Sequence, residues 1–370
     1  MKNKEPFSLK NIINKKRVIA VLVVLVLVAV MIFSNPEVHR FMFGGESVKI
    51  SLQSDMDCSA VAYGKEMLLV SKDGVRAVDK NGKDTWTVVH NVTTPMVQVK
   101  NDYYMVADVN GTSVNVYKRD KIISQIKTER EILTAKMNKN GYVAAATVQL
   151  GYKGAVTVYD RGGSEKFKWY SGSGYIGDID ISPDGKSIAA AQLMTDGEQL
   201  YSRIMIINIG SEDDAKNIAE LEGIAMTVRY KDNGEILVIT DNGGYCYRKN
   251  GKQTMKIDFS GRTPVGYNVE NQGNMVFAFD NGLNNTVLES YSAKGKLRGR
   301  YQSNDGIRSF DVNGECILAS TVNNVTRITP KGKIKSRTAI GHDVKEIRIF
   351  SGRNSFLSLG GGGADIVKMK

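Results

Sequence analysis

The side chains best suited to metal or acid–base chemistry are two pairs of aspartates. Asp55 and Asp57 form one pair, and Asp178 and Asp180 form the other. In a strand, residues two apart lie on the same face about 7 Å apart, and carboxylates so placed can share a Ca²⁺ ion when further oxygen ligands are present. Neither pair has a third ligand that can be assigned from the sequence. Solvated strand faces or turn caps are therefore the favoured interpretation of both pairs.

Cysteine and histidine are too few to build a conventional metal centre or a disulfide framework. The cysteines are Cys58, Cys246 and Cys316, and the histidines are His39, His90 and His342. Because no two cysteines are close in sequence, we interpret them as small apolar residues of the core. The histidines are predicted in linkers or loops, without a nucleophile–base arrangement around them. We therefore assign no catalytic, cofactor-binding or metal-binding residue and expect no cofactor.

The elements that carry these residues are predicted to be short β-strands. Past residue 46, apolar and β-branched residues alternate with polar ones, and Gly, Asn or Asp turns interrupt the pattern every 8–12 residues. The chain has 370 residues, and 42% of them are apolar, so a sizeable core can form. The pattern predicts an all-β fold.

One turn recurs along the chain at nearly equal intervals. A strand ends in an apolar or aromatic residue, and a polar turn with Gly and often Lys follows it. The residues before the turn are Val78, Tyr117, Tyr159, Ile207, Tyr247, Tyr291 and Ile328, at intervals of 39, 42, 48, 40, 44 and 37 residues. Four short strands in about 40 residues is the period of a β-propeller blade.

The number of blades follows from the two ends of this region. Val367 comes 39 residues after the seventh of these residues, but the C-terminal part provides only three strands, at Val344–Ile349, Ser355–Leu359 and Ala364–Met369. The strand Val48–Leu52 has no partner nearby. It can complete the last blade and close the ring, which removes exposed sheet edges. We predict an eight-bladed β-propeller, with seven blades as the alternative.

An apolar segment near the start predicts a membrane anchor. Residues 18–33 are apolar without interruption and follow a basic tail. A transmembrane helix over 18–34 can span a bilayer when flanking Lys and Arg side chains extend to the headgroups. The excess of positive charge places residues 1–17 in the cytoplasm, so that 35–46 form a linker and the propeller, 47–370, is extracytoplasmic. A cleaved signal peptide and a buried core helix are the alternatives.

The basic tail also accounts for much of the net charge. The formal net charge is +11, of which +5 belongs to residues 1–17. The remaining +6 is spread over more than 330 residues without a run of clustered Lys or Arg. A mildly basic surface of this kind does not indicate nucleic-acid binding.

Two turns carry a resemblance to a known family. Ala77–Trp86 contains a small residue, an apolar residue, Asp, two further residues, Gly, and then Trp on the next strand, and Tyr159–Trp169 is a stretched version. These turns resemble the repeat of the pyrroloquinoline-quinone-like (WD40-like) β-propeller superfamily, in which Gly turns the hairpin and Trp docks between blades. The corresponding strands of three other blades have Met255, Leu297 or Ile334 in place of Trp.

The resemblance implies two kinds of function. The superfamily includes eight-bladed quinone-dependent dehydrogenases and a non-enzymatic scaffold lipoprotein of outer-membrane assembly. With its single N-terminal helix, the chain also resembles uncharacterised single-pass membrane-anchored propeller proteins of Gram-positive bacteria. Because no catalytic set can be assigned, we predict a non-enzymatic interaction scaffold in the cell envelope. Its expected partner is an envelope protein or an anionic polymer, and a quinone-dependent dehydrogenase or another propeller enzyme is the alternative.

The irregular fourth repeat predicts an interaction face. Its interval of 48 residues places Met194–Arg203 in a lengthened hairpin between the second and third strands. Insertions into propeller repeats usually lie in loops on the binding face, and Tyr and Arg are frequent interface anchors. The candidate interaction residues on this face are Tyr152, Lys153, Tyr170, Tyr175, Tyr201 and Arg203. Exposed loops without a partner are the alternative.

Overall fold

The structure is a computed structural model that describes residues 28, 47–52, 58–211, 215–269, 273–361 and 363–369. Apart from residue 28, the predicted cytoplasmic tail, transmembrane helix and linker lie outside these ranges, as do Asp55, Asp57 and His39. Among the described residues, no helix is both long and apolar enough to cross a membrane.

The described residues form 32 strands in eight four-stranded antiparallel sheets. Blades 1 to 3 consist of β2 (Ser59–Tyr63), β3 (Glu66–Val70), β4 (Gly74–Val78) and β5 (Asp84–Val89); β6 (Pro95–Lys100), β7 (Tyr103–Asp108), β8 (Ser113–Lys118) and β9 (Lys121–Lys127); and β10 (Ile132–Met137), β11 (Val143–Thr147), β12 (Ala155–Tyr159) and β13 (Glu165–Tyr170). Blades 4 to 6 consist of β14 (Tyr175–Ile181), β15 (Ser187–Asp196), β16 (Gln199–Asn208) and β17 (Ala215–Glu222); β18 (Ala225–Tyr230), β19 (Ile236–Thr240), β20 (Gly243–Tyr247) and β21 (Gln253–Asp258); and β22 (Gly266–Asn268), β23 (Asn274–Asp280), β24 (Thr286–Ser292) and β25 (Leu297–Ser303). Blades 7 and 8 consist of β26 (Ser309–Asn313), β27 (Cys316–Ser320), β28 (Asn324–Ile328) and β29 (Ile334–Ala339); and β30 (Val344–Ile349), β31 (Ser355–Gly360), β32 (Gly363–Lys368) and β1 (Ser47–Ile50).

The ring closes through the first strand of the chain. β1 pairs antiparallel with β32, so that Ser47 lies opposite Val367 and Ile50 opposite Ala364. The innermost strand of blade 1, β2, contacts β6 on one side and β30 on the other. The predicted eight blades and the predicted closure are therefore confirmed, and the seven-bladed alternative is wrong.

The antiparallel order gives the propeller two distinct faces. We call the strands of each blade a to d from the innermost to the outermost. The b–c hairpins and the connections from strand d to the next strand a lie on one face, which we call the b–c face. The a–b and c–d turns lie on the opposite face, which we call the c–d face.

The hydrophobic core lies between neighbouring blades. Trp86 on β5 stacks on Tyr104 of blade 2, with ring centroids 5.8 Å apart and planes 22° apart. Trp169 on β13 is buried and belongs to a cluster that includes Ile179 and Ile188 of blade 4. Both Trp residues therefore dock between blades, as the resemblance implies, because a large aromatic face buries more apolar surface there than any other side chain.

The Asp and Gly of the recurring turn have separate roles. Asp79 Oδ1 accepts hydrogen bonds from the backbone N–H groups of Asn81 and Lys83, at 2.8 and 2.9 Å, and so closes the c–d turn of blade 1. Gly82 has a φ of +77°, and a Cβ atom there would lie 2.9 Å from Val48 Cγ1 on β1. The turn thus needs Gly both for its backbone conformation and for its contact with the neighbouring blade.

Candidate interaction face

The b–c hairpin of blade 4 extends beyond its neighbours. β15 and β16 have ten residues each, whereas the b and c strands of the other blades have five to seven. β14 ends its pairing with β15 at Tyr175 opposite Leu193, but β15 continues to Asp196. Three further residues at about 3.3 Å each carry the hairpin roughly 10 Å past the end of β14. The predicted lengthening of this hairpin is confirmed.

Four of the candidate residues form one cluster beside this hairpin, which we call the tyrosine cluster: Tyr152, Lys153, Tyr170 and Tyr175. The rings of Tyr152 and Tyr170 stack with centroids 4.7 Å apart. Lys153 Nζ lies 3.2 Å from the Tyr175 hydroxyl and 4.6 Å from the centre of its ring. Tyr152 and Tyr175 are 50% and 60% exposed. The cluster therefore offers aromatic surface and one positive charge to solvent.

The loop that carries the cluster is pinned at its base. The Lys153 N–H donates to Ser171 O at 2.8 Å, and the Ser171 N–H donates to Gly154 O at 2.9 Å. Gln192 Nε2 on β15 donates to Ser171 Oγ at 2.6 Å and so ties this loop to blade 4. Side chains on a loop held in this way lose little conformational entropy when a partner binds.

The other two candidates, Tyr201 and Arg203, lie on the extended hairpin itself. Arg203 Nε forms an ion pair with Glu220 at 3.0 Å, and its Nη2 lies 3.4 Å from the Tyr201 hydroxyl. On β16 they lie on the same strand face as Met205 and Ile207, which pack in the core between blades 3 and 4. Both side chains therefore leave the hairpin on the side of blade 3, where the tyrosine cluster lies.

Exposed apolar side chains also concentrate on the b–c face. Those on this face are Val89, Leu133, Val148, Leu150, Tyr152, Tyr170, Tyr175, Leu200, Ile224, Val265, Leu283 and Val322. The others in the described propeller lie on outermost strands: Val48, Ile122, Leu297 and Ile334. Most of the exposed apolar side chains on the b–c face lie in the sector of blades 3 to 5.

The aspartate pair on β14 is neither a solvated strand face nor a turn cap, contrary to the expectation from sequence. Asp178 and Asp180 are 7% and 3% exposed and lie on the innermost strand of blade 4. Asp178 Oδ2 accepts from Arg229 Nη1 at 2.9 Å, and its Oδ1 lies 3.2 Å from Lys136 Nζ. The N–H of Tyr230 donates to Asp180 Oδ2 at 2.7 Å. Both carboxylates thus join the innermost strands of adjacent blades, whose backbone N–H groups need acceptors there.

Burial on the innermost strands shifts the pKa values of two members of this network, Lys136 and Asp180. It lowers the pKa of Lys136, although Asp178 acts in the opposite direction. It raises the pKa of Asp180, against the influence of Arg229. Sequence reasoning missed this network because Lys136, Asp178 and Arg229 are 42 to 93 residues apart. The sequence signal that could have revealed it is the alternation of charge, Lys136, Asp178 and Arg229, on the first strands of three consecutive repeats.

The cysteines and the two described histidines do not form a reactive arrangement. Cys246 and Cys316 are buried free thiols, and burial raises the pKa of Cys246 to about 11. His342 Nε2 lies 3.4 Å from Ser358 Oγ and 3.7 Å from Asp365 Oδ2. A proton relay needs these contacts on different ring nitrogens. Within the described ranges, no group of three or more His, Cys, Asp or Glu side chains could hold a metal ion.

Sequence comparison assigns the chain to a family. The model of a family of unknown function, DUF5711, matches residues 43–369. The chain belongs to the DUF5711 family. The match spans the whole described propeller, so the eight-bladed ring is the structure of the family region in this chain. No curated protein matches the sequence.

Solved structures share the fold of this DUF5711 region at low sequence identity. The crystal structure of the C-terminal WD40 domain of Sif2 is similar with a TM-score of 0.62 and 11% identity, over 87% of this chain and 99% of that one. BamB from Moraxella catarrhalis is similar with a TM-score of 0.55 and 11% identity, over 88% and 100%. The β-propeller domain of Cps50 (Swd1) from Myceliophteria thermophila is similar with a TM-score of 0.51 and 14% identity, over 88% and 100%. At such identities the likeness establishes a WD40-like and BamB-like propeller fold.

Proposed function

We propose that the protein is a non-enzymatic interaction scaffold, anchored in the cell membrane and presenting its propeller outside the cytoplasm. The partner is an envelope protein that binds the b–c face over blades 3 and 4. The observation that carries this proposal is the exposed Tyr152–Tyr170 stack beside the Lys153–Tyr175 contact. Protein interfaces are enriched in such aromatic side chains at their energetically important centres.

A protein partner suits this face better than an anionic polymer does. The tyrosine cluster has one Lys, and Leu150, Leu200 and Ile224 add exposed apolar surface in the same sector. An anionic polymer is recognised mainly by clustered positive charge, whereas aromatic and apolar groups favour a protein surface of matching shape.

The non-enzymatic part of the proposal is supported by the state of the buried carboxylates. Asp178 is held by two cations, Lys136 and Arg229, and is already satisfied within the fold. Glu289 accepts two hydrogen bonds from Arg262, at 3.1 Å each, and one from Tyr291 at 2.6 Å. Carboxylates engaged in this way are structural groups of the propeller.

Membrane anchorage rests on the apolar run of residues 18–33 and on the basic residues before it. The test is the behaviour of the full chain in its own membrane. We expect it to stay in the membrane fraction after alkaline carbonate washing, and protease added outside intact spheroplasts to digest the propeller. Release by carbonate, or full protection from external protease, would contradict the proposed anchor and orientation.

The binding face is tested by site-specific photo-crosslinking in cells that produce the full chain. A photoreactive phenylalanine analogue replaces Leu200 on the extended hairpin or, as a matched control, Ile334 on β29. These side chains are 47% and 46% exposed, so the two positions differ in their face and not in their accessibility. We expect a discrete protein adduct from position 200 and none from position 334.

The tyrosine cluster must contribute to that adduct if the proposal is correct. Tyr152→Ala and Tyr170→Ala together should reduce the yield from position 200 by about tenfold or more, because interface anchors of this type carry much of the binding free energy. Equal adducts from positions 200 and 334, or an adduct that survives the double substitution unchanged, would place the partner elsewhere.

A further inference from the structure

The chain enters the propeller on the face opposite the tyrosine cluster. β31 and β32 are joined by a b–c hairpin at Gly360 and Gly363, so β32 runs from the b–c face to the c–d face. β1 is antiparallel to β32, and its first residue, Ser47, lies opposite Val367 near the far end of that strand. Ser47 is therefore on the c–d face. Any membrane anchor before residue 47 is attached to this side of the ring.

Positive charge gathers on the same face. The c–d turns of blades 1, 5, 6 and 7 carry exposed cations that we call the basic rim: Lys80, Lys83, Arg248, Lys249, Lys252, Lys294, Lys296, Lys331 and Lys333. These turns are about 40 residues apart in sequence, and the ring brings them to one side. The sequence has no run of clustered Lys or Arg past the tail, and the fold brings these separate cations to one face.

Three acidic side chains near the basic rim are already engaged. Asp79, in the turn of blade 1, accepts backbone hydrogen bonds within its own turn. Asp84 forms an ion pair with Arg76 at 2.6 Å, and Glu315 forms one with Arg298 at 2.8 Å. The positive charge of the basic rim thus faces solvent with little local compensation.

The basic rim surrounds the point where the chain enters. Blade 8 contains β1, and its neighbours in the ring are blades 7 and 1, with blades 6 and 5 next in order. The basic rim thus lies on the two blades that flank the point of entry and continues over blades 6 and 5.

We propose that the basic rim rests on the anionic lipid headgroups of the membrane that holds the N-terminal segment. This proposal rests on the proposed anchor. The twelve residues 35–46 reach at most about 43 Å, so the basic rim stays close to the bilayer. Lys and Arg are attracted to anionic headgroups within a Debye length, about 8 Å at physiological salt. Docking in this orientation turns the b–c face, with its tyrosine cluster, away from the membrane and toward its partner.

The test is lysine footprinting of the full chain in lipid nanodiscs. One set of nanodiscs contains phosphatidylglycerol and the other only phosphatidylcholine, and acetylation is followed by mass spectrometry. We expect phosphatidylglycerol to slow acetylation of Lys294, Lys296 and Lys331 by about fivefold, and high salt to remove the effect. Lys72 and Lys127, on the b–c face, serve as internal references and should react equally in both lipids. Equal rates at the basic rim in both lipids would overturn the proposal.

Matched charge reversals distinguish an effect of the basic rim from an effect of the net charge of the protein. Lys294→Glu with Lys331→Glu should abolish the lipid-dependent protection of Lys249 and Lys252. Lys72→Glu with Lys127→Glu changes the net charge equally on the other face and should leave that protection intact. Loss of protection in both variants would mean that the attraction is non-specific and the orientation wrong.

The outcomes also distinguish a failure of the docking from a failure of the anchor, and lipid binding from the binding of a soluble polyanion. If the chain resists carbonate extraction but its basic rim is unprotected, the anchor stands and the docking is wrong. If carbonate releases the chain, both are wrong. If soluble polyglutamate protects the basic rim in phosphatidylcholine nanodiscs more strongly than phosphatidylglycerol does, the basic rim binds polyanions in solution and the lipid assignment is overturned.

Discussion

Asp178 on the innermost strand of blade 4 accepts a 2.9 Å hydrogen bond from the guanidinium of Arg229 on the innermost strand of blade 5. The same carboxylate pairs with Lys136 of blade 3, so one side chain joins three consecutive blades. Asp178→Ala removes the carboxylate that two largely buried cations share. We expect the free energy of unfolding to fall by roughly 3–5 kcal/mol, measured by urea denaturation of the full chain in detergent.

An exposed ion pair provides the control for this prediction. Asp102 and Lys118 are 3.1 Å apart, and both side chains are largely open to solvent. Asp102→Ala should cost less than about 1 kcal/mol, because water screens such a pair. Equal losses in the two variants would mean that the Asp178 network does not stabilise the ring more than a surface pair does.

The hydrogen-bonded carboxylate of Glu289 is predicted to lose its stabilising effect in acid. Burial alone raises the pKa of Glu289, but hydrogen bonds from Arg262, Tyr291 and Arg300 outweigh it and hold the pKa below its ordinary value of 4.5. A carboxyl with a lowered folded pKa stabilises the protein above its unfolded pKa, and this contribution is lost as the pH falls through the folded pKa. The stability difference between wild type and Glu289→Gln should therefore be large at pH 7 and shrink below about pH 4.5. Urea denaturation across this pH range measures it.

Because wild type and Glu289→Gln are compared at the same pH, the contributions of the other buried acids to the pH dependence cancel. Burial raises the pKa of Asp180, Asp311 and Glu346, so these groups act in the opposite direction in both proteins. Glu315→Gln is the matched control, because hydrogen bonding to Arg298 also lowers the pKa of Glu315, but that carboxylate is 67% exposed. A pH-dependent loss as large for Glu315→Gln as for Glu289→Gln would contradict the assignment.

The propeller could be predicted from sequence because its signals are local. A turn such as Asp79 to Gly82 is specified by adjacent residues, and its repetition near 40 residues reveals the blade. The unpaired strand at Val48 similarly needed only a partner at the other end of the chain. Residues such as Tyr152 and Tyr175 could be assigned to one face because strand direction alternates regularly within a blade.

The charge arrangement could not be predicted, because it depends on which blades are neighbours in space. Lys331 and Lys80 lie on either side of blade 8 only because β1 closes the ring, and they are 251 residues apart in sequence. Asp178 was expected on a solvated strand face or in a turn cap, because alternation does not reveal which charged groups of neighbouring blades lie beside it. The Lys153–Tyr175 contact likewise depends on side-chain geometry between two loops.

The glycine of the blade 7 turn is predicted to be essential for more than its backbone conformation. Gly332 and Gly282 have the same φ, +79°. A Cβ on Gly332 would overlap the carbonyl oxygen of Arg300 on blade 6, whereas nothing lies within 4 Å of a Cβ on Gly282. Gly282→Ala should cost about 1–2 kcal/mol from backbone strain, and Gly332→Ala at least about 2 kcal/mol more from the clash. Thermal unfolding compares them, and equal losses would exclude a role for the contact between blades.

Tyr63 is predicted to hold blade 1 to blade 2 through a single hydroxyl group. That hydroxyl donates to Asp102 O at 2.6 Å and accepts from the Arg119 N–H at 3.0 Å, both on blade 2. Tyr63→Phe leaves the Arg119 N–H without its acceptor, so we expect faster hydrogen exchange of this amide and a loss of about 1–3 kcal/mol in stability. The matched control is Tyr104→Phe, since the Tyr104 hydroxyl donates to the carbonyl of Arg119 at 2.9 Å and leaves its N–H untouched. Both variants lose a buried hydroxyl, but only Tyr63→Phe should expose the Arg119 amide. Unchanged hydrogen exchange of the Arg119 amide in Tyr63→Phe would show that the Tyr63 hydroxyl does not hold the two blades together.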